Sequence, residues 1–225
     1  MISVIIPAFN EAEALPATLE RVTAEAARHE VIVVDGGSTD ETCAVAMTYP
    51  NVRVVSAEKG RAQQLNAGAR LAGGDCLLFL HADTLLPQGA LATLATVCRE
   101  GSECEAGGFR HRFSDADWKL SLISALHNLR CRITDVFFGD QAMFVSRELF
   151  WRLGGFACEP MEDLLFSEKV RQVTRPLLVP AYVVTDSRKF VKHGVFRSFG
   201  RVVVLLVRHQ LRLPVRSRRF FEDVR

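Results

Sequence analysis

The first hundred residues alternate short apolar runs with stretches whose apolar residues recur every three or four positions. Residues 2–7, 31–35, 52–56 and 76–80 are compact and mostly apolar, as strands covered on both faces would be. Between them, residues 12–28, 39–48 and 61–71 carry helical spacing. The order β-α-β-α-β-α-β predicts a parallel sheet with right-handed crossovers. Local chemistry agrees: Ser38 followed by Glu41 reads as a capping box that leaves Asp35, Gly36 and Gly37 as the preceding turn. Gly73 and Gly74 stop the third helix before the fourth strand.

After a further helix over 89–99 the simple alternation breaks down. Gly107, Gly108, Phe109 and Arg110 read as a strand, and a long helix runs from 115 to about 132. There is no internal repeat and no low-complexity linker. The organisation expected is one domain over 1–190 and a basic helical extension over 191–225. In that extension, residues 195–213 form a helix on which Arg197, Arg201, Arg208 and Arg212 fall within about 60° of one another. The apolar run 202–207 is far below the roughly 18 residues a spanning helix needs. Three arrangements remain for it: packing on the domain, pairing with a second copy, or lying on an anionic membrane surface. Pro214 is expected to end the helix, and residues 216–221 add cations and aromatics for a contact through 195–221.

Composition narrows the class. Hydrophobic residues at 48% and charged residues at 24% are those of a globular protein, which excludes disordered and fibrous classes. The net charge of +2 conceals an asymmetry, since residues 1–187 hold 17 Lys+Arg against 24 Asp+Glu and residues 188–225 hold 11 against 2. Nucleic acid is not an expected partner, because no recognition module accompanies the basic tail. The opening residues lack the basic start of a signal peptide, so the expected location is cytoplasmic, with the inner face of the membrane as a peripheral alternative. The six cysteines show no paired spacing, which argues against zinc and disulfides, and they read as small buried hydrophobes.

Candidate chemistry collects at the C-terminal ends of the predicted strands, where open α/β sheets bind ligands. The first strand runs into Pro7, Ala8, Phe9, Asn10 and Glu11, the second ends at Asp35, and the fourth leads into His81, Ala82 and Asp83. The turn Lys59-Gly60-Arg61 opens a helix. Its backbone N–H groups and the Arg61 guanidinium suit phosphate oxygens, although a solvated basic loop has the same composition. Asp83 is adequate for a divalent cation that takes most of its ligands from substrate phosphates. His81 as a second ligand tilts the choice from Mg²⁺ towards Mn²⁺; alternatively it hydrogen-bonds a phosphate or a neighbour.

As an ordered set these segments resemble the glycosyltransferase family 2 proteins of the GT-A fold. Typical members show P-x-x-N-E, D-D-G-S-T-D, G-x-x-x-A-x-N-x-G and D-x-D motifs. Here they are Pro7 to Glu11, Asp35 to Asp40, Gly60 to Gly68, and His81-Ala82-Asp83, within a likeness that covers residues 1 to about 190. Gly36 and His81 stand where the pattern has aspartates. The resemblance implies an α/β fold of the GT-A, Rossmann-like type, with a central mixed, mostly parallel sheet flanked by helices, here followed by the basic amphipathic helix. It implies an inverting transferase with a nucleotide-sugar donor, expected to be a UDP-sugar, a divalent cation (Mn²⁺ or Mg²⁺), and an unknown acceptor, a small metabolite or lipid-linked. Pro7, Ala8, Phe9, Glu11, Asp35 and Arg61 would bind the nucleotide, and Asp83 with His81 the metal. Gly139, Asp140 and Gln141 resemble the family's acceptor and donor-sugar segment. Glu162-Asp163 matches its acidic pair at a helix start, with Asp163 as the base and Glu162 beside it. The variants at Gly36, His81 and Gly139 to Gln141 resemble a bacterial subgroup associated with radical SAM, selenium-linked or arsenosugar pathways. Two other readings stand beside it: a catalytically silent nucleotide-sugar-binding protein, and a nucleotidyltransferase, which would carry a glycine-rich loop after the first strand where this chain has Pro7 to Glu11.

Overall fold

A computed structural model of the chain describes residues 1–25, 28–98 and 104–213. The first half alternates as expected: β1 (Ile2–Ala8), α1 (Leu15–Thr23), β2 (Glu30–Asp35), α2 (Thr42–Met47), β3 (Val52–Ser56), α3 (Arg61–Leu71) and β4 (Cys76–Phe79). A two-residue strand β5 (Thr84–Leu85) and α4 (Ala90–Val97) follow. The second half contains β6 (Ala106–Phe113), α5 (Trp118–Thr134), a 3-10 turn at Gly139–Gln141, β7 (Phe144–Ser146), α6 (Arg147–Arg152) and α7 (Glu162–Val173). It closes with β8 (Leu177–Thr185), α8 (Arg188–Lys192) and α9 (Val195–Gln210).

The strands form one eight-stranded sheet in the order β3-β2-β1-β4-β7-β6-β8-β5. Pairings β1–β2, β1–β4, β2–β3 and β6–β8 are parallel, while β4–β7, β6–β7 and β5–β8 are antiparallel. Successive side chains of a strand point to opposite faces, and both faces here are apolar. Val4 and Ile6 of β1, Val33 of β2 and Leu78 of β4 join one core with Leu15, Leu19 and Leu94. Ile5, Ile32, Val34, Leu77 and Phe79 join the other with Leu65, Leu149, Phe150 and Phe166. The result is helix, sheet, helix. On the second face α3 lies close to the strands because Gly68 has no side chain: a Cβ there would stand 2.5 Å from Ile5 Cγ2.

The chain runs β1, β2, β3 in one direction across the sheet and then returns to place β4 on the other side of β1. That reversal makes the β1–β4 boundary the switch point at which such sheets open a crevice. β4 ends opposite Ile5, leaving Pro7 paired only with β2. Pro7, which has no N–H to give, therefore costs no ladder bond on the β4 side.

Several expectations are corrected. Helices α1 and α2 start at Leu15 and Thr42, three residues later than their patterns suggest. Ser38 is not a helix cap. Glu41 occupies that position without a side-chain hydrogen bond, while Ser38 Oγ accepts from the Asn10 N–H at 2.9 Å. The Ser38 N–H is itself drawn to the Asp35 carboxylate, which folds back over its own turn. The cysteines are not uniformly buried: Cys76 and Cys131 are, Cys43, Cys98 and Cys104 are half-buried, and Cys158 is exposed. Cys76 and Cys98 Sγ lie 3.0 Å apart.

Helix α9 packs on α5 and α8. Its Leu205 and Leu206 rest against Val136, Met161 and Leu164, and His209 Nε2 sits 3.0 Å from Glu168 of α7. Of the three arrangements open for this helix, packing on the domain describes one of its faces. It ends at Gln210, and Pro214 with residues 216–221 lies outside the described residues, as does Arg99, the last residue of the helix expected over 89–99. Among the described residues no helix is long and apolar enough to cross a membrane.

Candidate functional site

The polar strand ends are bound to one another by their own backbones. Asn10 turns the chain after β1 in a left-handed conformation (φ 54°), and its Oδ1 accepts from the Thr39 N–H at 2.8 Å. The Glu11 N–H donates to Thr42 Oγ1 at 2.8 Å, and the Ala12 N–H to Asp40 at 3.2 Å. The β1–α1 and β2–α2 loops therefore form one wall. Asp35 is 4% exposed, and its carboxylate accepts from the Gly37 N–H at 2.9 Å and the Ser38 N–H at 3.1 Å. Gln64 of α3 clamps this wall from beneath, donating from Nε2 to the carbonyls of Ala8 and Val34, both at 2.8 Å. Gly36 follows from that clamp, since a Cβ there would stand 3.0 Å from the Gln64 amide. At the rim, Lys59 Nζ lies 4.0 Å from the Phe9 ring centroid, a cation held over an aromatic face.

The second wall comes from the later chain. Arg61 at the start of α3 faces Glu162 at the start of α7, Nε to Oε1 at 3.5 Å, with Glu162 buried. Sequence reasoning put Glu162 beside the base and Arg61 on the nucleotide; the structure ties the two side chains together. Asn66 strengthens the same junction by holding both backbone groups of Phe156, accepting from its N–H at 3.0 Å and donating to its carbonyl at 2.8 Å. Asp163, the next residue after Glu162, accepts from the Gly139 N–H at 2.7 Å and from its neighbour Leu164 at 2.8 Å. Each oxygen keeps a further lone pair.

Gly139 is where the walls meet. A Cβ at this position would stand 2.5 Å from His81 Nε2 and 3.2 Å from Asp163 Oδ2. His81 and Asp163 thus flank a single residue although 82 positions separate them in the chain. Asp83, two residues beyond His81, is anchored through its carbonyl, which accepts from the Asp186 N–H at 2.9 Å. Glu11, Asp35, Arg61, His81, Asp83, Gly139 and Asp163 all lie where the C-terminal ends of β1, β2 and β4 meet the starts of α3 and α7.

Two assignments change character. Gln141 is fully buried and brackets its own turn, accepting from the Phe138 N–H at 3.1 Å and donating to the Phe109 carbonyl at 3.1 Å. It shapes the site from inside and presents no side-chain polar group to a sugar. Asp140 joins two histidines that no motif singled out: His127 Nε2 lies 3.3 Å from its Oδ1, and His111 Nε2 3.8 Å from its Oδ2. Burial pushes His111 down to about 4, against the opposing pull of Asp140. Burial also works against the Asp140 charge, yet His127 and His111, with His81 further off, hold its carboxyl well below the usual carboxylate range.

Arg130 was also missed. It projects from α5 over the Phe138 ring, 3.8 Å from Cζ to centroid, and its Nε and Nη2 are buried without a hydrogen-bond partner among the described residues. Burial lowers its pKa, while Asp140 and Asp163 nearby support the cation. A sequence signal for it is lacking, because an arginine towards the C-terminal end of a helix is ordinary.

Asp83 and His81 suit a divalent cation in kind, one carboxylate and one imidazole at the end of β4 with a fixed backbone. Among the described residues no group of three or more His, Cys, Asp or Glu could hold a metal alone. One carboxylate and one imidazole leave the remaining positions of such a cation to diphosphate oxygens. A separate cavity of about 340 Å³, lined by Glu20, Thr23, Tyr49 and Asn51, opens at the opposite edge of the sheet and has no part in this site.

Comparison with known proteins identifies the family. The family model for glycosyl transferase family 2 matches residues 3–154. A PGL/p-HBAD biosynthesis glycosyltransferase of Mycobacterium tuberculosis is 30% identical over 234 residues, covering 97% of this chain and 86% of that protein. Among solved structures, a mannosyltransferase of Pyrobaculum calidifontis in complex with GDP-Man and Mn²⁺ superposes with a TM-score of 0.63 at 26% identity; the match covers 81% of this chain but 56% of that one. The fold also matches glucosyl-3-phosphoglycerate synthase from Mycobacterium tuberculosis, in complex with Mn²⁺, UDP-glucose and phosphoglyceric acid (TM-score 0.65, 18% identity, 96% of this chain and 81% of that one). The chain belongs to glycosyl transferase family 2.

Proposed function

We propose that the protein is an inverting glycosyltransferase that moves a sugar from a nucleoside diphosphate, a UDP-sugar, to an acceptor hydroxyl. The observation that carries this reading is the meeting of Asp163 and His81 across Gly139. It brings the candidate base on α7 beside the candidate diphosphate side after β4. The acceptor oxygen attacks the anomeric carbon from the face opposite the diphosphate and surrenders its proton to Asp163. The bond from the anomeric carbon to the β-phosphate oxygen breaks, and the diphosphate leaves with the electron pair. A carboxylate fixed by two backbone donors is oriented for proton transfer before the acceptor arrives.

Pro7, Ala8, Phe9, Glu11 and Asp35 line the nucleoside side. Arg61 stands at the diphosphate side, oriented by Glu162. Asp83, with His81, would hold Mn²⁺ or Mg²⁺, which when bound neutralises charge developing on a leaving diphosphate. Arg130 offers buried N–H donors for negative charge near Asp163. The D-G-G variant, His81 and the Gly139 to Gln141 segment support placing the chain in the radical SAM or arsenosugar-associated subgroup. Six free thiols support a reducing, cytoplasmic setting.

The test is nucleoside diphosphate release and product mass from a panel of nucleotide sugars with Mn²⁺ or Mg²⁺. Asp163→Asn, which keeps an acceptor for the Gly139 N–H, is expected to lower turnover by about 10²–10⁴-fold while nucleotide affinity is retained. Equal turnover in both proteins removes Asp163 from its role. Binding of UDP without release from any donor sugar returns the silent binding protein.

A further inference from the structure

Helix α5 exposes five large apolar side chains in a row. Trp118, Leu122, Leu126, Leu129 and Ile133 are spaced four, four, three and four residues apart, which aligns them on one face of the helix. Trp118 is 66% exposed and Ile133 74%. The stripe runs for about 22 Å at 1.5 Å per residue. Ile123 and Leu120, on the other side, are the residues that pack inward.

Helix α9 repeats the arrangement beside it. Ser198, Leu205, Leu206 and His209 turn towards the domain, whereas Phe196, Val203, Val204 and Val207 are exposed. At 100° per residue these four fall within about 100° of one another, and Arg197, Arg201 and Arg208 follow along one edge of that band. The two stripes join where the Trp118 and Phe196 rings lie 6.2 Å apart. Apolar side chains scattered singly on a surface need no account, but two abutting rows of them mark an interaction face.

We infer that the joined α5–α9 face docks on an anionic lipid surface. Charge selects this occupant. Neither helix holds a single Asp or Glu, whereas α5 carries Lys119 and Arg132 beside the stripe, and α9 carries Arg197, Arg201 and Arg208. Asp115, Asp117 and Asp135 flank the ends of α5, where Asp115 accepts from Ser187 Oγ and Asp117 caps the Lys119 N–H, and Glu168 of α7 meets His209 on the inward side of α9. A face with an apolar centre, a cationic border and a tryptophan at one end lies in the interface of a bilayer, with its apolar residues in the acyl boundary and its arginines at the phosphates. A second copy of the same face would set one arginine row against another. The face borders the catalytic region: the inward side of α9 packs on Met161 and Leu164, which flank Glu162 and Asp163. The docking itself does not depend on the glycosyl-transfer reading.

The test is co-sedimentation of the full chain with vesicles of phosphatidylcholine alone and of phosphatidylcholine with phosphatidylglycerol. Binding is expected to the anionic vesicles only, and to weaken as salt rises. Leu129→Glu with Ile133→Glu, both at exposed positions, is expected to reduce partitioning more than tenfold at unchanged melting temperature. Arg197→Ala is expected to reduce it roughly fivefold, the value of one cation at such a surface. In a Trp151→Phe background, which leaves Trp118 as the single tryptophan, emission should shift to the blue on anionic vesicles. Emission that stays unchanged while the chain fails to sediment overturns the inference. A dimer in solution that Ile133→Glu dissociates also overturns it, in favour of a second copy as occupant.

Discussion

Asn66→Ala tests whether the two halves of the site are held together as described. Asn66 is 7% exposed, and its amide makes two hydrogen bonds to the backbone of Phe156, at 2.8 and 3.0 Å. Truncation leaves a buried N–H and a buried carbonyl unmatched. Each costs about 1–3 kcal/mol, so the variant should lose roughly 2–6 kcal/mol of an expected stability of about 5–15 kcal/mol. For a chain of this size that is a fall in Tm of about 4–24 °C. Urea denaturation of wild type and variant gives the difference directly, with Asn51→Ala at an exposed position as the control. Asn66→Asp separates the two bonds: it keeps the acceptor for the N–H and sets a carboxylate against the Phe156 carbonyl, so it should be no better than alanine. A loss under about 1 kcal/mol with an unchanged m-value would refute the argument. The Phe156 segment leads to the Arg61–Glu162 pair and Asp163, so the same variant should lower kcat more than nucleotide affinity.

Gly139→Ala places a methyl group 2.5 Å from His81 Nε2 and 3.2 Å from Asp163 Oδ2; transfer should fall more than tenfold with nucleotide binding retained, checked by turnover and calorimetry. Gly36→Ala crowds the Gln64 amide at 3.0 Å, and a double-mutant cycle with Gln64→Ala should show coupling of at least about 0.5 kcal/mol, the second change relieving the first. His111 gives a pH dependence. Its folded pKa of about 4 lies below the unfolded value near 6.5, so the stability tied to its neutral form is present above pH 6.5 and is lost as pH falls towards 4. That loss is about 3 kcal/mol by urea titration across the window, and His111→Gln should flatten it.

How much of this was legible in the sequence follows from how local each signal is. The β1–α3 segment could be read directly, because strands buried on both faces are continuous apolar runs and α3 carries helical spacing up to its glycines. The end of α7 that carries Glu162 and Asp163 was legible as a helix start. The short strands were not: β5 and β7 have two and three residues, too few for any period to register. β8 contains Pro180, which argues against a strand until its pairing is seen. The β6–β8 register slips between Phe109 and Arg110, whose partners are Val179 and Tyr182, so Pro180 falls in the irregularity where no ladder bond is required of it.

The site divides the same way. Residues at strand ends are placed by topology alone, so Asp35, His81 and Asp83 could be assigned to one rim before any coordinates. Side-chain partnerships are not placed by topology. Nothing in the sequence pairs Arg61 with Glu162, 101 positions away, or folds Gln141 inward to hold a turn. His111 and His127 come from a strand and a helix whose spacing carries no motif, and only packing of α5 on β6 brings both to Asp140; Asn128 fixes that packing by holding both backbone groups of His111 at 2.8 Å. The departure at Gly36 becomes intelligible for the same reason. The position is small because Gln64 from α3 stands 3.0 Å from where a Cβ would lie, so the residue that replaces a family carboxylate is accounted for sterically by a clamp between elements.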